Sequence, residues 1–314
     1  MPSPLRKTAR PAVLVISSLV ADGSVGGRLA CFALERLGFP VWFVPTVNLP
    51  RHPGRQPSVR DITSADYLRG CLDDLVKLAE QHDIAAVLTG YIGDAAQIPV
   101  VADAVSRLKA IHPRLIYLCD PVLGDGDKLY ISDAVANAMR DQLWPICDIA
   151  TPNVFELCWL ERAANALQQG MQRTAPAMLA DLAGNAAPAR IAVTSVCGLM
   201  ANHIGNLLTA PQAPALLFEH LAMPHAPHGT GDLFAALLLG HHLLTGDLEQ
   251  ATERASSALF ELTARAARSG LEDLPLIGEQ TSLERPMAMV SKRVIGTSRP
   301  TVGGKTPTPK PRPL

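Results

Sequence analysis

The sequence predicts an α/β fold with an open, mostly parallel sheet and helices on both of its faces. Short apolar runs alternate with stretches of helical length from residue 12 to residue 195. Several of these runs are continuously apolar, which is typical of strands that are covered on both faces. Polar residues follow the runs where the strands are expected to end, and open sheets of this kind bind ligands at the carboxyl ends of their strands.

The first elements indicate the start of a βαβ unit. The apolar run at 12–18 predicts a strand that ends in hydroxyls, and a glycine-containing loop leads from it into a helix at 28–37. A second strand is expected at 40–47. The residues at 49–58 are rich in Pro, Arg and His, so they predict a loop.

The later elements continue the alternation of strand and helix. Helices are expected from Ser64 to about His82, at 99–112, at 132–144 and from Glu156, and strands at 84–91, 115–120, 149–153 and 191–195, with a peripheral hairpin at 206–208 and 215–219. A buried helix follows Gly229, and the chain stays helical to about Gly270. This pattern predicts one domain at 11–280, a flexible N-terminus at 1–10 and a disordered Pro- and Lys-rich tail at 283–314.

Composition and charge argue against several classes of function. The formal net charge is −1 at pH 7, and no basic stripe is interleaved with aromatic residues, so nucleic acid is not an expected partner. No apolar run reaches the length of a membrane span, so no membrane partner is expected. The six cysteines include no CxxC pair, which favours reduced thiols and a cytoplasmic protein.

The stretch Gly229-Thr230-Gly231-Asp232 has the residue types of an anion site with an adjacent acid. Glycines let the backbone approach a ligand closely, and the start of a helix presents unpaired N–H groups to a phosphate. A carboxylate beside that site can accept a proton from an attacking hydroxyl. The alternative is a capped helix with an acid in its first turn and no function.

Three acids, Asp120, Asp125 and Glu156, fall at or just after the ends of predicted strands. A magnesium nucleotide needs hard oxygen ligands, often one or two carboxylates together with water. For each acid taken singly, helix capping or a solvated surface is the better explanation. Their shared position at one edge of the sheet, together with residues 229–232, favours a magnesium-nucleotide site instead.

Three motifs in this order resemble the ribokinase superfamily: Asp120-Pro121-Val122-Leu123-Gly124-Asp125, Thr151-Pro152-Asn153-x-x-Glu156 and Gly229-Thr230-Gly231-Asp232-Leu233-Phe234. Further positions are similar to pyridoxal kinases, namely Ser18, Val25-Gly26, Thr46-Val47, the 88–91 stretch and the 193–195 stretch. The resemblance covers residues 13 to 270. It implies a ribokinase-like, three-layer α/β/α fold with a mostly parallel central sheet flanked by helices.

The resemblance also implies ATP-dependent phosphorylation of the 5′-hydroxymethyl group of pyridoxal, pyridoxine or pyridoxamine, which are the B6 vitamers. Pyridoxal would thereby yield pyridoxal 5′-phosphate in B6 salvage. The implied cofactors are ATP and Mg2+, commonly with a monovalent cation, K+ or Na+. The implied partners are the vitamer, ATP and a second copy of the chain in a homodimer.

Site roles follow from the resemblance position by position. Asp232 matches the catalytic base, and the backbone of Gly229, Thr230 and Gly231 matches the anion hole for the transferred phosphate. The ATP-side positions are Asp120, Asp125, Thr151, Asn153 and Thr194, and the positions assigned to the metal are Asp120 and Glu156. The acceptor-side positions are Ser18, which would hydrogen-bond the pyridine ring, with Val25, Val47, Leu49, His52, Tyr91 and Asp232.

The chain departs from the family pattern at three positions. Gly27 stands where the family commonly has Asn, Pro53 where it has a Thr that helps to hold the vitamer, and Cys158 where many members have a second Glu. A hydroxymethylpyrimidine kinase and a non-catalytic vitamer-binding homologue are therefore alternative functions. A dinucleotide-binding dehydrogenase is not expected, because the G-x-G-x-x-G spacing is absent.

Overall fold

A computed structural model describes residues 10–52, 54, 59–126, 128–163 and 174–296. Within these residues a ten-stranded sheet has the order β12-β11-β10-β9-β8-β5-β4-β1-β2-β3, and β6 and β7 form a separate hairpin. The strands are β1 (Ala12–Asp22), β2 (Val41–Arg51), β3 (Asp61–Ile62), β4 (Ile84–Thr89), β5 (Ile116–Cys119), β6 (Gly124–Asp125), β7 (Lys128–Leu129), β8 (Ile149–Ala150), β9 (Arg190–Cys197), β10 (His203–Thr209), β11 (Ala215–Leu221) and β12 (Ser291–Ile295).

Helices lie on both faces of the sheet and give the predicted three layers. They are α1 (Gly26–Arg36), α2 (Ala65–Ala79), α3 (Gln97–Ile111), α4 (Asp133–Ala138), α5 (Val154–Leu160), α6 (Pro176–Gly184), α7 (Thr230–Thr245), α8 (Leu248–Ser269) and α9 (Gln280–Glu284). The alternation of side chains along β1 produces the two cores, because Leu14 and Ile16 pack in one layer whereas Val13 and Val15 pack in the other. The mostly parallel α/β class is confirmed by the parallel pairing of β2, β1, β4, β5, β8 and β9.

Two strands extend beyond their predicted ends. The strand predicted at 12–18 continues to Asp22, and the predicted loop at 49–58 begins with strand residues up to Arg51. The two extensions pair with each other, through Val20 with Leu49 and Asp22 with Arg51. Main-chain pairing thus determines the conformation of a segment whose composition is typical of a loop.

The predicted disordered tail at 283–314 is wrong for its first part. Leu283 is fully buried in α9, and Ser291–Ile295 forms the edge strand β12, which pairs antiparallel with β11. Arg293 Nε donates to Glu219 Oε1 at 3.0 Å, and the Glu219 side chain is completely buried. The five-residue strand has little apolar character of its own, so only its tertiary partners reveal it. Residues 297–314 and 1–9 lie outside the described residues.

Other predicted boundaries changed less. The helix predicted at 132–144 is divided into α4, a π-helical turn at Met139–Leu143 and a 3₁₀ turn at Trp144–Ile146. The hairpin predicted at 206–208 and 215–219 exists as β10 and β11, but its strands join the main sheet. Across the described part of the chain, every helix is too short or too polar to cross a bilayer.

Candidate active site

The crevice between β1 and β4 is where the chain order in the sheet reverses. β2 lies on one side of β1, and β4, which comes later in the chain, lies on the other. Reversals of this kind open a crevice at the carboxyl ends of the strands, where open α/β sheets bind ligands. Ser18 and Tyr91 follow the paired parts of these two strands, so the structure places them at this edge.

Helix α7 begins beside this crevice and presents the Gly229–Asp232 segment. Gly229 caps the helix in the left-handed region, with φ +86, and it lies close to the Ser24 carbonyl oxygen. A side chain at residue 229 would collide with that oxygen, which explains the need for glycine. The first N–H groups of α7 have no partner within the helix and can bind an anion.

Asp232 is half-buried in the first turn of α7, and its carboxylate is held in place. Gly26 N–H donates to Asp232 Oδ2 at 2.9 Å, which joins the start of α1 to the start of α7. Removal from bulk water raises the pKa of the Asp232 carboxyl to about 6, although the Gly26 hydrogen bond opposes that rise. A carboxylate with a pKa in this range can act as a general base near neutral pH.

Asp120 lies at the end of β5 and is 5% exposed. Thr151 Oγ1 donates to Asp120 Oδ1 at 2.9 Å, so two of the predicted nucleotide-side residues contact each other. Burial, and next the negative charge of Asp232, raise the pKa of Asp120 to about 8 against the effect of the Thr151 hydrogen bond. The two acids are therefore close enough to interact electrostatically.

Glu156 and Asn153 form a capping box at the start of α5. Asn153 Oδ1 accepts from Glu156 N–H at 2.9 Å, and Glu156 Oε2 accepts from Asn153 N–H at 2.8 Å. Glu156 Oε1 also accepts from Leu123 N–H at 2.9 Å. Burial and the charge of Asp120 raise the pKa of Glu156 well above its ordinary value, whereas these backbone N–H groups oppose the rise. Glu156 therefore fixes the loop that follows β5.

We expect Glu156→Ala to lower the free energy of unfolding by about 2 kcal/mol or more, because several buried N–H groups lose their acceptor. Urea denaturation of the two proteins measures the change. Glu161→Ala at the end of the same helix is the matched control, since among the described residues its carboxylate accepts one hydrogen bond, from Nε1–H of the buried Trp144 at 2.7 Å, and its loss should cost less. An equal loss in both variants would contradict the specific role of Glu156.

The carboxylates of this edge fit a hard divalent cation. Asp120, Glu156 and Asp232 crowd negative charge together, and a cation such as Mg2+ would relieve it. No group of three or more His, Cys, Asp or Glu side chains able to hold a metal exists among the described residues. This arrangement suits Mg2+, which is usually held by one or two carboxylates together with water and phosphate oxygens.

A small apolar cluster forms the other end of the crevice. It brings together Val25, Val47, Leu49 and Tyr91, four of the predicted acceptor-side residues, with Val20, which the sequence analysis did not identify. The alternation along β1 past Ser18 was the available signal for Val20. These side chains form the apolar walls that a flat ring would need.

Two polar side chains hold Tyr91: Thr46, which belongs to the resemblance but was given no role in the site, and Arg60, which the sequence analysis missed. Thr46 Oγ1 donates to the Tyr91 carbonyl at 2.7 Å. The Arg60 guanidinium lies 5.6 Å from the centre of the Tyr91 ring, and its Nη2 donates to Gly93 O at 3.0 Å. Arg60 comes from the segment before β3, so no local pattern in the sequence could connect it with Tyr91.

His52 connects the acceptor side with the anion hole. Its ring stacks on that of His228, with centroids 4.5 Å apart, and His228 directly precedes Gly229. Gly54 N–H donates to His52 Nδ1 at 3.3 Å. Pro53, the departure predicted to affect the vitamer, lies outside the described residues.

The remaining predicted site residues, Asp125 and Thr194, lie near Asn153. Asp125 is exposed on the β6–β7 hairpin, and Asn153 Nδ2 donates to the carbonyl of the adjacent Gly124 at 2.8 Å. Thr194 is half-buried, and its main chain forms an isolated parallel β-bridge with that of Asn153. Two of the departures from the family pattern fit their surroundings. A side chain at residue 27 would collide with the Phe43 ring, and Cys158 is fully buried in the apolar core.

Comparison with known proteins identifies the family. The family model for phosphomethylpyrimidine kinase matches residues 62–276. The chain is 32% identical over 277 residues to the pyridoxal kinase PdxY of Rubrobacter xylanophilus, across 87% of this chain and 94% of that protein. It is 33% identical over 283 residues to the PdxY of Deinococcus radiodurans, across 87% and 93%.

Solved structures show the same relationship. The pyridoxal kinase of Leishmania donovani in complex with ADP and pyridoxine is similar with a TM-score of 0.78 and 25% identity, over 91% of this chain and 99% of that one. The pyridoxal kinase of Entamoeba histolytica is similar with a TM-score of 0.77 and the same identity and coverage. The ribokinase-like fold is thereby confirmed, and the chain belongs to the pyridoxal kinases of the ribokinase superfamily.

Proposed function

We propose that this protein transfers the γ-phosphoryl group of ATP to the 5′-hydroxymethyl group of pyridoxal, and also of pyridoxine and pyridoxamine. The product from pyridoxal is pyridoxal 5′-phosphate, so the reaction serves B6 salvage. The observation that carries this proposal is Asp232, held by Gly26 N–H in the first turn of α7 beside an open helix start. The relatives named pyridoxal kinase support the choice of acceptor.

The roles of the chain's own residues follow from this geometry. Asp232 accepts the proton of the acceptor hydroxyl as its oxygen attacks the γ-phosphorus. The N–H groups of Gly229, Thr230 and Gly231 stabilise the negative charge on the transferred group. Positioning and charge stabilisation account for most of the catalysis of phosphoryl transfer, so these groups suffice for the protein's part.

The nucleotide side of the site is assigned to the other strand ends. Asp120 and Glu156 would hold or orient Mg2+, which neutralises phosphate charge when it is bound. Thr151, Asn153, Asp125 and Thr194 would contact the nucleotide. A K+ or Na+ ion and a homodimer stay predictions from the resemblance, and a cytoplasmic location stays a prediction from the cysteines.

On the acceptor side, the ring would lie against Tyr91 and the apolar side chains of Val25, Val47 and Leu49 that pack with it. Ser18 would hydrogen-bond the pyridine ring. His52 would close this end beside His228. The solved relative with ADP and pyridoxine supports a site that takes both molecules at once.

An assay of each B6 vitamer and of hydroxymethylpyrimidine with Mg-ATP tests the proposal. We expect phosphorylation of at least one vitamer, measured as the 5′-phosphate product. The match to the phosphomethylpyrimidine kinase model favours the pyrimidine as the second candidate. Turnover of the pyrimidine without any vitamer would replace the proposed acceptor, and binding without turnover of either would identify a non-catalytic homologue.

The pH dependence of the reaction should report Asp232. Its folded pKa is raised to about 6, so the carboxylate form needed in a base is lost as the pH falls through this value. We expect kcat/KM for the acceptor to decline about tenfold per pH unit below pH 6. A rate profile at saturating Mg-ATP from pH 5 to pH 9 measures this, and a kcat/KM that stays constant down to pH 5 would contradict it.

A further inference from the structure

Ser17 on β1 faces the helix layer that carries Asp232. Val13 and Val15 pack against α1 and α7, whereas Leu14 and Ile16 pack into the opposite layer. Side chains alternate along a strand, and the register of β1 against β2 shifts only after Ser17. The Ser17 hydroxyl therefore projects to the same side of the sheet as Val13 and Val15.

Ser17 also lies at the point where β1 and β4 separate. Their pairing ends with Ile16 opposite Thr89, and Gly90 N–H donates to Ile16 O at 3.0 Å. Ser17 is the next residue of β1 and thus borders the crevice at the reversal of the sheet. This is the position at which open α/β sheets place their ligands.

The Ser17 hydroxyl is buried without a hydrogen-bond partner among the described residues. The residue is 2% exposed, and its Oγ is unsatisfied. A buried hydroxyl without a partner costs about 1–3 kcal/mol, so its presence calls for an explanation. A purely structural serine at this position would be replaced by alanine at no cost.

The unsatisfied oxygen and the Asp232 carboxylate both lie beside Gly90. Ser17 Oγ is 2.5 Å from the point that a Cβ of Gly90 would occupy, and Asp232 Oδ1 is 4.0 Å from the same point. The Gly26 hydrogen bond engages Asp232 Oδ2, so Oδ1 is the oxygen on the Ser17 side. Ser17 Oγ has no hydrogen-bond partner among the described residues, so the two oxygens border the same glycine without bonding to each other.

We propose that Ser17 Oγ and Asp232 Oδ1 together bind the reacting hydroxyl of the acceptor alcohol. This inference rests on the proposed kinase function. Ser17 donates to the acceptor oxygen, and Asp232 accepts the proton of that hydroxyl. The second lone pair of the acceptor oxygen then forms the bond to the γ-phosphorus, the bond from that phosphorus to the β–γ bridging oxygen breaks, and ADP leaves.

The Ser17→Ala variant separates this role from simple packing. We expect kcat/KM for the acceptor to fall about tenfold, which corresponds to one hydrogen bond, with KM for ATP unchanged. The melting temperature should be equal or higher, because an unsatisfied donor has been removed. Wild-type kcat/KM in Ser17→Ala would overturn the proposal, as would a lower melting temperature that accompanies the loss of activity.

Two further variants control for shape and for burial. Ser17→Cys keeps the size of the side chain but donates weakly, so it should lose activity as Ser17→Ala does; wild-type activity in it would also overturn the proposal. Thr174→Val removes another buried hydroxyl that has no partner in the described part of the chain, just before α6, and should leave kcat/KM unchanged. A tenfold loss there as well would show that the Ser17 effect is not specific and would overturn the proposal.

The wild-type protein distinguishes failure of this inference from failure of the proposed function. Absence of wild-type turnover with every vitamer refutes the kinase proposal. Active wild-type protein with an equally active Ser17→Ala refutes only the role of Ser17. In the Asp232→Asn background, Ser17→Ala should cause little further loss, because the two groups act on the same hydroxyl; a full additional tenfold loss would contradict that shared role.

Discussion

Asp232→Asn is expected to lower kcat at least about a hundredfold, because the amide cannot accept the proton of the acceptor hydroxyl. Its oxygen can still accept the Gly26 N–H, so the start of α7 should keep its position. Steady-state kinetics with the best vitamer measure the loss, and ADP titration by calorimetry should give a Kd close to that of the wild type.

The stability of the Asp232→Asn variant supplies the control. The pKa of Asp232 is raised in the folded protein, so its contribution to stability is present below the ordinary carboxyl pKa near 4 and is lost as the pH rises through about 6. At pH 8 the neutral variant should therefore be at least as stable as the wild type. Unchanged turnover would refute the assignment of the base, and loss of turnover with unfolding would assign Asp232 a structural role.

Asp247→Asn is a matched substitution at another helix start. Asp247 caps α8, and its Oδ1 accepts from Gln250 N–H at 3.1 Å. Asparagine caps helices about as well as aspartate, so both stability and turnover should stay near their wild-type values. A comparable loss of turnover in this variant would indicate a general effect of lost charge rather than loss of the base.

Gly229→Ala is expected to disrupt both the fold of this segment and the reaction. Residue 229 has a φ of +86, which costs a residue with a Cβ about 1–2 kcal/mol, and the added atom would also collide with the Ser24 carbonyl. We expect the free energy of unfolding to fall by about 2 kcal/mol or more. Turnover should fall by at least tenfold, because the N–H groups that face the phosphate would move.

Gly231→Ala tests whether that effect depends on the position of the glycine. Among the described residues, no atom beyond its chain neighbours and the backbone of its own helix lies within 4 Å of a Cβ at residue 231, and its φ is outside the left-handed region. Its free energy of unfolding should therefore be close to that of the wild type or above it, since alanine favours helix more than glycine does. Equal destabilisation by the two substitutions in urea denaturation would contradict the assigned strain at Gly229.

The Asn153–Glu156 motif shows what local pattern can establish. A residue that caps a helix and an acid three positions later are typical of a capping box, and the structure contains one that the sequence analysis did not name. The same pattern does not show that Leu123 N–H also donates to Glu156. That hydrogen bond joins the loop after β5 to the helix after β8, and these segments are far apart in the sequence. The raised pKa of Glu156 also depends on the tertiary structure, because burial and the charge of Asp120 cause it.

By itself the sequence determined the α/β class, most of the strands and helices, and the motifs that resemble pyridoxal kinases. These features depend on periodicity, on glycine and on capping, which act over a few neighbouring residues. Only the tertiary structure placed Arg60 over Tyr91, paired β12 with β11 and brought Ser17 and Asp232 to the same glycine, Gly90. The residues in each pair lie far apart in the chain, and their contact depends on the order of strands and on which layer a side chain enters.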